Sequence, residues 1–506
     1  MSEAAIAWNR FGLGARRDDR PPGDPRRWLL DQIDAYRPAP PPVAAAPTSA
    51  AVAADLASYQ AERRMIRQQP ATAMAATPAP PPAMTATPAA PPAMTPESMS
   101  AAPMTATTPM RDAEQEARRI ARRAGQDHYV DLIGARTLAA LTTPTPFAER
   151  LVHFWSNHFA VSADKLELVG LAGTLEMEAI RPHVMGRFAD MLFAVERHPA
   201  MLLYLDQAVS VGPDSLVGTR AAVRGQRRIG LNENLAREIM ELHTLGVRTG
   251  YTQADVTEFA RAMTGWTVGG IGGGPGARFA AMPDHAVGSF VFVPQIHQPG
   301  TRTIMGKAYA EGGEAQARAV LTDLSVHPAT ARHVATKLSR HFAGDTPPPA
   351  MVARLEQAFL RSGGDLPTVY RALVASPEAW AGASAKFKTP WEWTVSAYRA
   401  LGTTTVQPQA MLGLMNQLGQ PLWKPGQPIG YDDTAPSWAG PDAVMRRVEA
   451  AERFAARAGG TIDARALASQ LFPDAVSPAT TQAIARAESP GQGLALLLVS
   501  PEMMRR

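Results

Sequence analysis

The sequence predicts a mainly α fold: one large multi-helical globular domain with a small β-hairpin excursion and a disordered Pro/Ala-rich insertion. Apolar residues recur at helical spacing through most of the 506 residues. Pro and Gly separate one such segment from the next, and strand signals are confined to one short region. Hydrophobic residues make up 45% of the chain, which is enough for a sizeable core.

Three segments are predicted along the chain. Residues 1–36 form an N-terminal segment, with a helix near 25–36, that packs on the helical core. Residues 37–110 are a Pro/Ala/Met-rich low-complexity insertion, although 57–69 could form a brief helix. Its centre repeats a decapeptide at 76–85 and 86–95, a composition typical of extended, solvated chain, so we expect disorder there. Residues 111–506 form the multi-helical core domain.

The core domain is predicted to be helix after helix, with one β element. Apolar periodicity predicts helices at 147–159, 176–196, 232–245, 252–264, 313–322, 328–342, 350–362, 366–375, 391–401 and 441–457. A β-hairpin is predicted near 289–306, in which 289–293 pairs with 302–305. Pro299 and Gly300 suit the central positions of a type II turn between them.

Composition excludes several classes of function. The chain lacks cysteine, which excludes disulfides, thiolate nucleophiles and cysteine-ligated metal sites. The net charge is only +4 and basic residues alternate with acids, which argues against nucleic-acid binding. No apolar stretch is long enough to span a membrane, and no signal-peptide core occurs near the start. The predicted location is therefore cytoplasmic, with an exported or envelope-associated protein as the alternative.

The predicted helix 232–245 carries the densest group of polar side chains. Asn232 is its expected N-cap, and Gly246 is expected to follow its end. A helical projection places a buried stripe beside a polar arc of Asn234, Glu238 and Glu241. Two carboxylates and an amide on one arc could ligate a metal or divide acid and base roles. The alternative is that these acids form structural ion pairs with Arg237 and Arg261.

The histidines of the predicted helix 147–159 are five residues apart and must have different roles. His158 lies on the apolar stripe and is interpreted as a core histidine. The projection puts His243 of the later helix on the flank away from its acids. His153 lies beside Asn157, and a neighbouring amide can fix an imidazole tautomer, so His153 is the functional candidate of the pair.

Two further candidates come from the region after residue 252. Glu258 lies on the flank of the predicted helix 252–264, where its simplest partner is Arg261. His297 precedes the predicted turn, and loops often carry site residues, although an exposed loop histidine can also be passive.

Several motifs resemble the domain of unknown function 1800 family of bacterial proteins. They lie at 10–14, 154–159, 232–242, 259–266, 297–306, 388–390, 418–421 and 428–431, so the resemblance covers most of the chain. It implies a helical fold and no assigned activity. Members often look exported and occur beside sulfatase-like proteins, which implies an envelope role. Gln298 stands where members often have Asp, and Tyr431 where they often have Trp, which weakens a His–Asp pair at His297.

Two functional hypotheses follow. The first is a metal-assisted hydrolase with a His/Glu/Asn polar centre. Its catalytic residues would be His153, Asn157, Arg237, Glu238, Glu241, Glu258 and His297, with Asn234 as a further binding residue. Glu238 or Glu241 would act as base or metal ligand, His153 as ligand or acid, and Arg237 as an anion clamp. The residues identify no particular metal, cofactor or substrate.

The second hypothesis is a non-catalytic helical scaffold or envelope-associated interaction protein. The same polar groups would then form a buried network that fixes helix register. The insertion at 37–110 would serve as a tether or as a docking segment for a protein partner.

Overall fold

A computed structural model of the chain describes residues 2–68, 108–225, 230–281, 285–382 and 386–506. The mainly α fold is confirmed: helices follow one another through the described residues, with two small two-stranded sheets among them. The predicted decapeptide repeat at 76–95 lies outside the described residues. None of the described helices is both long and apolar enough to cross a membrane.

The first thirteen of the helices described lie before residue 281. Their bounds are α1 Glu3–Ile6, α2 Pro25–Ala35, α3 Pro41–Ala44, α4 Ser49–Gln68, α5 Thr108–Thr142, α6 Pro146–His158, α7 Ala172–Leu175, α8 Phe188–Glu196, α9 Pro199–Tyr204, α10 Leu216–Val223, α11 Asn234–Glu238, α12 Gln253–Met263 and α13 Ala277–Ala280. Short 3₁₀ turns lie at Leu166–Leu168, Arg181–His183 and Gln207–Val209.

The rest of the described chain is built in the same way. Its helices are α14 Glu314–Ser325, α15 Pro328–Ala343, α16 Pro349–Ser362, α17 Leu366–Ala375, α18 Pro390–Ala400, α19 Pro408–Gln417, α20 Pro441–Arg457, α21 Ala464–Leu471, α22 Pro478–Ala485, α23 Pro490–Leu498 and α24 Pro501–Met504. Further 3₁₀ turns lie at Pro294–Ile296, Pro377–Trp380 and Ala435–Ser437. Many of these helices begin with Pro in the first turn, where its missing N–H costs nothing.

Aromatic side chains connect the start of the chain to the central helices. The ring of Phe11 stacks on Phe342 with centroids 5.5 Å apart and meets Phe147 edge-on at 5.8 Å. All three rings are buried. Residues far apart in the sequence therefore share one hydrophobic core, which fixes α6 and α15 relative to each other.

Two predicted helices differ from a regular α-helix. The segment predicted at 232–245 is α11 followed by a π-helical turn, Ile239–His243, and the residue at its N-cap position is Glu233. Asn232 lies one residue earlier, and its Oδ1 accepts from the Asn234 N–H at 2.9 Å. The segment predicted at 176–196 is a π turn, Glu176–Ile180, then a 3₁₀ turn, then α8. Pro182 explains that break, because it has no N–H to continue the helix.

The helix predicted at 57–69 is longer than expected. It is α4, which begins at Ser49 and buries Val52, Ala53 and Leu56. The Ser49 N–H and hydroxyl both donate to the Glu178 carboxylate, at 2.7 and 2.6 Å. This charged acceptor satisfies a donor at the helix start and anchors α4 on the core domain.

The predicted β-hairpin is wrong in its pairing. The strands are β1 Trp266–Val268, β2 Phe290–Phe292, β3 Arg302–Ile304 and β4 Lys307–Tyr309. The second strand pairs with β1 and the third with β4, both antiparallel, so the two predicted partners lie in different sheets. The turn that joins β3 to β4 is Met305–Gly306, with φ of 48° and 78°. Positive φ at both positions is what a tight two-residue hairpin requires.

Candidate active site

A cavity of about 120 Å³ lies where α5, α6, α15 and the start of α18 meet the segment 420–433. Its wall includes two of the residues predicted from sequence, His153 and Asn157. The other polar side chains on which its chemistry depends are Arg150, Lys337, Arg340, His341, Glu392 and Asp433. The cavity therefore joins residues from four helices and one loop.

His341, in the last turn of α15, is held by Asp433, which is partly buried. Its Nδ1 lies 2.9 Å from Oδ2 of Asp433. An ionised carboxylate can only accept, so Nδ1 carries the proton and Nε2 has a free lone pair. Nε2 is buried and has no hydrogen-bond partner among the described residues. Burial lowers the pKa of His341 to about 4 despite the opposing charge of Asp433, which leaves the ring neutral at pH 7.

Asp433 is itself fixed by cations. Burial raises the pKa of Asp433, but His341, Lys386 and Arg506 outweigh burial and hold that pKa well below its usual range. The Lys386 ammonium lies 3.2 Å from Oδ1 of Asp433 and 3.1 Å from Oδ1 of Asp345. Asp433 therefore stays ionised as the acceptor that sets the tautomer of His341.

Glu392 lies on the other side of the His341 ring. It belongs to the capping box of α18, in which its Oε2 accepts from the Thr389 N–H at 3.0 Å. Its Oε1 accepts from Arg150 and forms an ion pair with Arg506 at 2.9 Å. Burial raises the pKa of Glu392, but these two arginines bring it well below the usual value. Oε1 lies 4.0 Å from Nε2 of His341.

Both nitrogens of His153 face protein groups. Its Nδ1 accepts from the Trp391 indole N–H at 3.1 Å. The protonated Nε2 therefore faces Oε1 of Glu149 at 3.4 Å, but it makes no hydrogen bond with any described residue. Burial lowers the pKa of His153. The ring holds Trp391 in the cavity wall and leaves no lone pair for a ligand.

Asn157 clamps the loop that closes the cavity. Its amide donates to the Tyr431 carbonyl at 2.8 Å, and its Oδ1 accepts from the Tyr431 N–H at 2.7 Å. Gly430 has φ of 82°, and a Cβ there would lie 2.4 Å from the Asn157 carbonyl oxygen. Only glycine allows this close approach. The contact fixes the loop at Tyr431, two residues before Asp433.

A second ionic cluster lies behind the cavity. Arg181 binds both oxygens of Glu149, one of them at 3.0 Å. Arg136 lies 3.2 Å from Glu176 and stacks over the Trp391 ring at 4.7 Å. All four charged side chains are buried. The cluster ties α5 and α6 to the π turn that carries Glu176, and so fixes the wall behind His153.

The residues predicted on the helix 232–245 lie outside the cavity. Arg237 pairs with Glu233 at 3.0 Å and lies 3.8 Å from Glu241. Glu238 is half-buried, and burial raises its pKa. Asn234 is exposed at the start of α11. The arc is therefore present, but neither His153 nor Asn157 contacts it through any described hydrogen bond or ion pair.

His158, predicted on the apolar stripe, and His243, predicted on a helix flank, are both buried. His243 Nδ1 lies 2.7 Å from Oε1 of Glu196, and both side chains are fully buried. This pairing turns His243 away from the arc. His158 donates through Nε2 to the His243 carbonyl at 3.1 Å. Its Nδ1 is buried without a hydrogen-bond partner among the described residues, and the ring lines the cavity.

Glu258 and His297 form separate local contacts. Glu258 pairs with Arg261 and lies 3.2 Å from Arg302. His297 is buried, and its Nδ1 lies 2.7 Å from the Thr264 carbonyl, to which the ring N–H donates. Burial lowers the pKa of His297. Neither residue lines the cavity, so only His153 and Asn157 of the predicted set lie there.

The sequence reasoning missed His341, Asp433 and Glu392. One signal was available for Glu392, because Thr389 and Glu392 have the three-residue spacing of a capping box. No local signal shows that Glu392 meets Arg150, 242 residues away. Among the described residues, no group of three or more histidine, aspartate or glutamate side chains is placed to hold a metal ion.

The fold and the cavity define a mainly α-helical protein with a polar cavity built from distant helices. The chain belongs to the family described as "Protein of unknown function (DUF1800)", whose model matches residues 6–505. This confirms the resemblance drawn from its motifs. A search of the curated proteins and a search of the solved structures each found no match.

Proposed function

We propose that this protein is a hydrolase whose active site is the cavity, with His341 as the general base. The observation that carries the proposal is the pairing of a partly buried aspartate with Nδ1 of a neutral histidine whose Nε2 has no partner among the described residues. A base oriented in this way by a carboxylate is a recurring arrangement in hydrolytic enzymes.

A water molecule can bind between two neighbouring acceptors of the cavity. Nε2 of His341 and Oε1 of Glu392 are 4.0 Å apart, so one water can donate to both at ordinary hydrogen-bond distances of about 2.8 Å. The water oxygen would attack the substrate while one of its protons moves to Nε2. The bond to the leaving group then breaks, and the imidazolium returns that proton to the leaving group. Asp433 stabilises the imidazolium meanwhile.

Hydrolysis is also the reaction class expected from the sequence, but the proposed active site lies at different residues. The expected centre needed His153 to converge with the arc of Asn234, Glu238 and Glu241. The acceptor nitrogen of His153 is instead occupied by Trp391, and the arc lies outside the cavity. Proton transfer through His341 needs no group of metal ligands. His153 and Asn157 become positioning residues that hold Trp391 and Tyr431 in the wall.

A non-catalytic scaffold is the second candidate, and one observation favours it. The cluster of Glu149, Arg181, Glu176 and Arg136 pairs its charges with each other behind the cavity, which is what a register-fixing network requires. A protein partner for the segment 37–110 stays a prediction.

The experiment is hydrolysis of a panel of p-nitrophenyl esters and phosphates by the full-length protein. We expect turnover of at least one member by the wild type and its loss in His341→Gln, in which no imidazole is present. His128→Gln is the matched control, because His128 pairs with an exposed aspartate elsewhere on the surface. A folded His341→Gln protein with wild-type turnover, or a wild type inactive on the whole panel, would count against the hydrolase.

A further inference from the structure

Two cations in the cavity wall form no ion pair with any residue that the structure describes. Lys337 and Arg340 lie one turn apart on α15 and both line the cavity. Lys337 makes no hydrogen bond or ion pair with any described residue. The same holds for Arg340, whose Nε is buried. Buried or partly buried cations are normally paired, so this wall carries uncompensated positive charge.

The carboxylates near these cations are already engaged. Glu392 pairs with Arg150 and Arg506, and Asp433 pairs with His341 and Lys386. The exposed Asp432 accepts from the hydroxyls of Thr434 and Ser437. None of the three lies within ion-pair distance of Lys337 or Arg340. An anionic ligand would supply the partner that these three carboxylates do not provide.

The pKa shifts of the side chains in this wall also favour an anionic ligand. Burial lowers the pKa of Lys337 to about 8, Asp433 opposes that shift, and Arg340 adds to it. An anion beside the ammonium would relieve both the burial and the repulsion from Arg340. His158 adds no competing charge, because burial and then Lys337 keep its pKa well below the usual value and the ring neutral.

The cavity has room for a small anion. Its volume of about 120 Å³ accommodates a group of a few heavy atoms, such as a carboxylate or a phosphate. The cavity opens to solvent, so the rest of a larger substrate can extend out of it. Guanidinium and ammonium groups together suit such an anion, since arginine binds its oxygens in a fork and lysine acts as a point charge.

We propose that the cavity binds a small oxyanion, a carboxylate or a phosphate group, between Lys337 and Arg340 of α15. Because this site is the proposed active site, the inference rests on the proposed function to the extent that it names the substrate class. The oxyanion would be the recognised end of the substrate, and the bond to be hydrolysed would lie toward His341.

The test is isothermal titration calorimetry of the full-length protein with sodium phosphate and, separately, sodium acetate at low ionic strength. We expect saturable binding of at least one anion by the wild type. The anion that binds more tightly shows whether the site prefers a phosphate or a carboxylate group. Lys337→Gln combined with Arg340→Gln should weaken that binding at least tenfold. Arg332→Gln is the matched control on α15, where Arg332 is exposed and pairs with Glu356.

The outcomes separate the two proposals. Binding of neither anion by the wild type, or binding unchanged in the double variant, overturns the oxyanion site. His341→Gln should still bind the anion, so anion binding without any His341-dependent turnover leaves the oxyanion site standing and rejects the hydrolase. If the double variant is less soluble, a thermal-shift assay provides the second measurement. The anion should raise the melting temperature of the wild type and of Arg332→Gln, but not that of the double variant.

Discussion

The two nitrogens of His341 have separate roles. Nδ1 is bound to Asp433, and Nε2 is left as an acceptor beside the cavity. A pKa of about 4 keeps the ring neutral at pH 7, so it can accept a proton over most of the physiological range. The function of this ring therefore depends on the carboxylate that selects its tautomer.

Asp433→Asn tests that dependence. An amide can present either a donor or an acceptor to the ring, so the imidazole loses its fixed tautomer and its imidazolium loses a counter-charge. With whichever p-nitrophenyl substrate the wild type turns over, we expect kcat to fall about 10²–10⁴-fold and KM to change little. Steady-state kinetics measure both constants. An unchanged kcat in a folded variant would show that His341 does not act as a base.

Asn157 is expected to act through stability. Asn157→Ala removes a donor and an acceptor from the backbone of Tyr431, which leaves those groups without their partner. We expect the free energy of unfolding to fall by about 1–3 kcal/mol in urea denaturation. Asn416→Ala is the control, because Asn416 is exposed on α19, and its effect should stay within about 0.5 kcal/mol. Equal losses in the two variants would contradict the clamp.

At the scale of elements, glycines show where local rules determine the structure. Gly306 ends the β3–β4 turn at φ 78° with open space around its Cβ position, so a side chain there is strained without any clash. Gly413 lies exposed within α19, also with open space. The two positions differ in backbone conformation alone.

The same substitution should therefore have opposite effects at these two sites. Gly306→Ala should lower the free energy of unfolding by about 1–2 kcal/mol, because L-residues are strained at positive φ. Gly413→Ala should raise it by about 0.5–1 kcal/mol, because alanine is the better helix former. Chemical denaturation of both variants measures the difference. A loss of stability in both would mean that α19 has no room for the methyl group.

The elements also show what local patterns can predict. Helices α17 and α20 begin and end where the apolar period predicts, since a long stripe between Pro and Gly leaves few alternatives. The strands β2 and β3 were located correctly, but their partners were not. Strand pairing depends on β1, which comes earlier in the chain and has no strong strand pattern of its own. The Met305–Gly306 turn was the local signal for the other pair.

Across the whole molecule, the cavity could be predicted only in part. His153 and Asn157 were identified because their polar flank is visible on one helix. His341 and Asp433 lie 92 residues apart, and Arg150 and Glu392 lie 242 apart. Such pairs depend on how the helices meet in the core, which no single-helix projection contains. The arc of α11 was visible for the opposite reason, because all of its groups lie on one short segment.

One buried and one partly buried histidine make the stability of the whole molecule sensitive to acid. His341 and His333 both have a pKa lowered to about 4 by burial. The unfolded chain, with an ordinary histidine pKa of about 6.5, binds more protons than the folded chain between these two values. Stability is therefore fully present above pH 6.5 and falls as the pH drops from about 6.5 to 4.

Urea unfolding at pH 7, 5.5 and 4.5 measures this loss of unfolding free energy. His341 alone contributes roughly 3 kcal/mol to it between pH 6.5 and 4. His341→Gln should be less stable at pH 7, because Asp433 loses its imidazole partner, but its stability should fall less steeply across the same window. Asn416→Ala removes no titratable group, so it should keep the wild-type slope. An equal slope in all three proteins would mean that His341 is not buried in its neutral form.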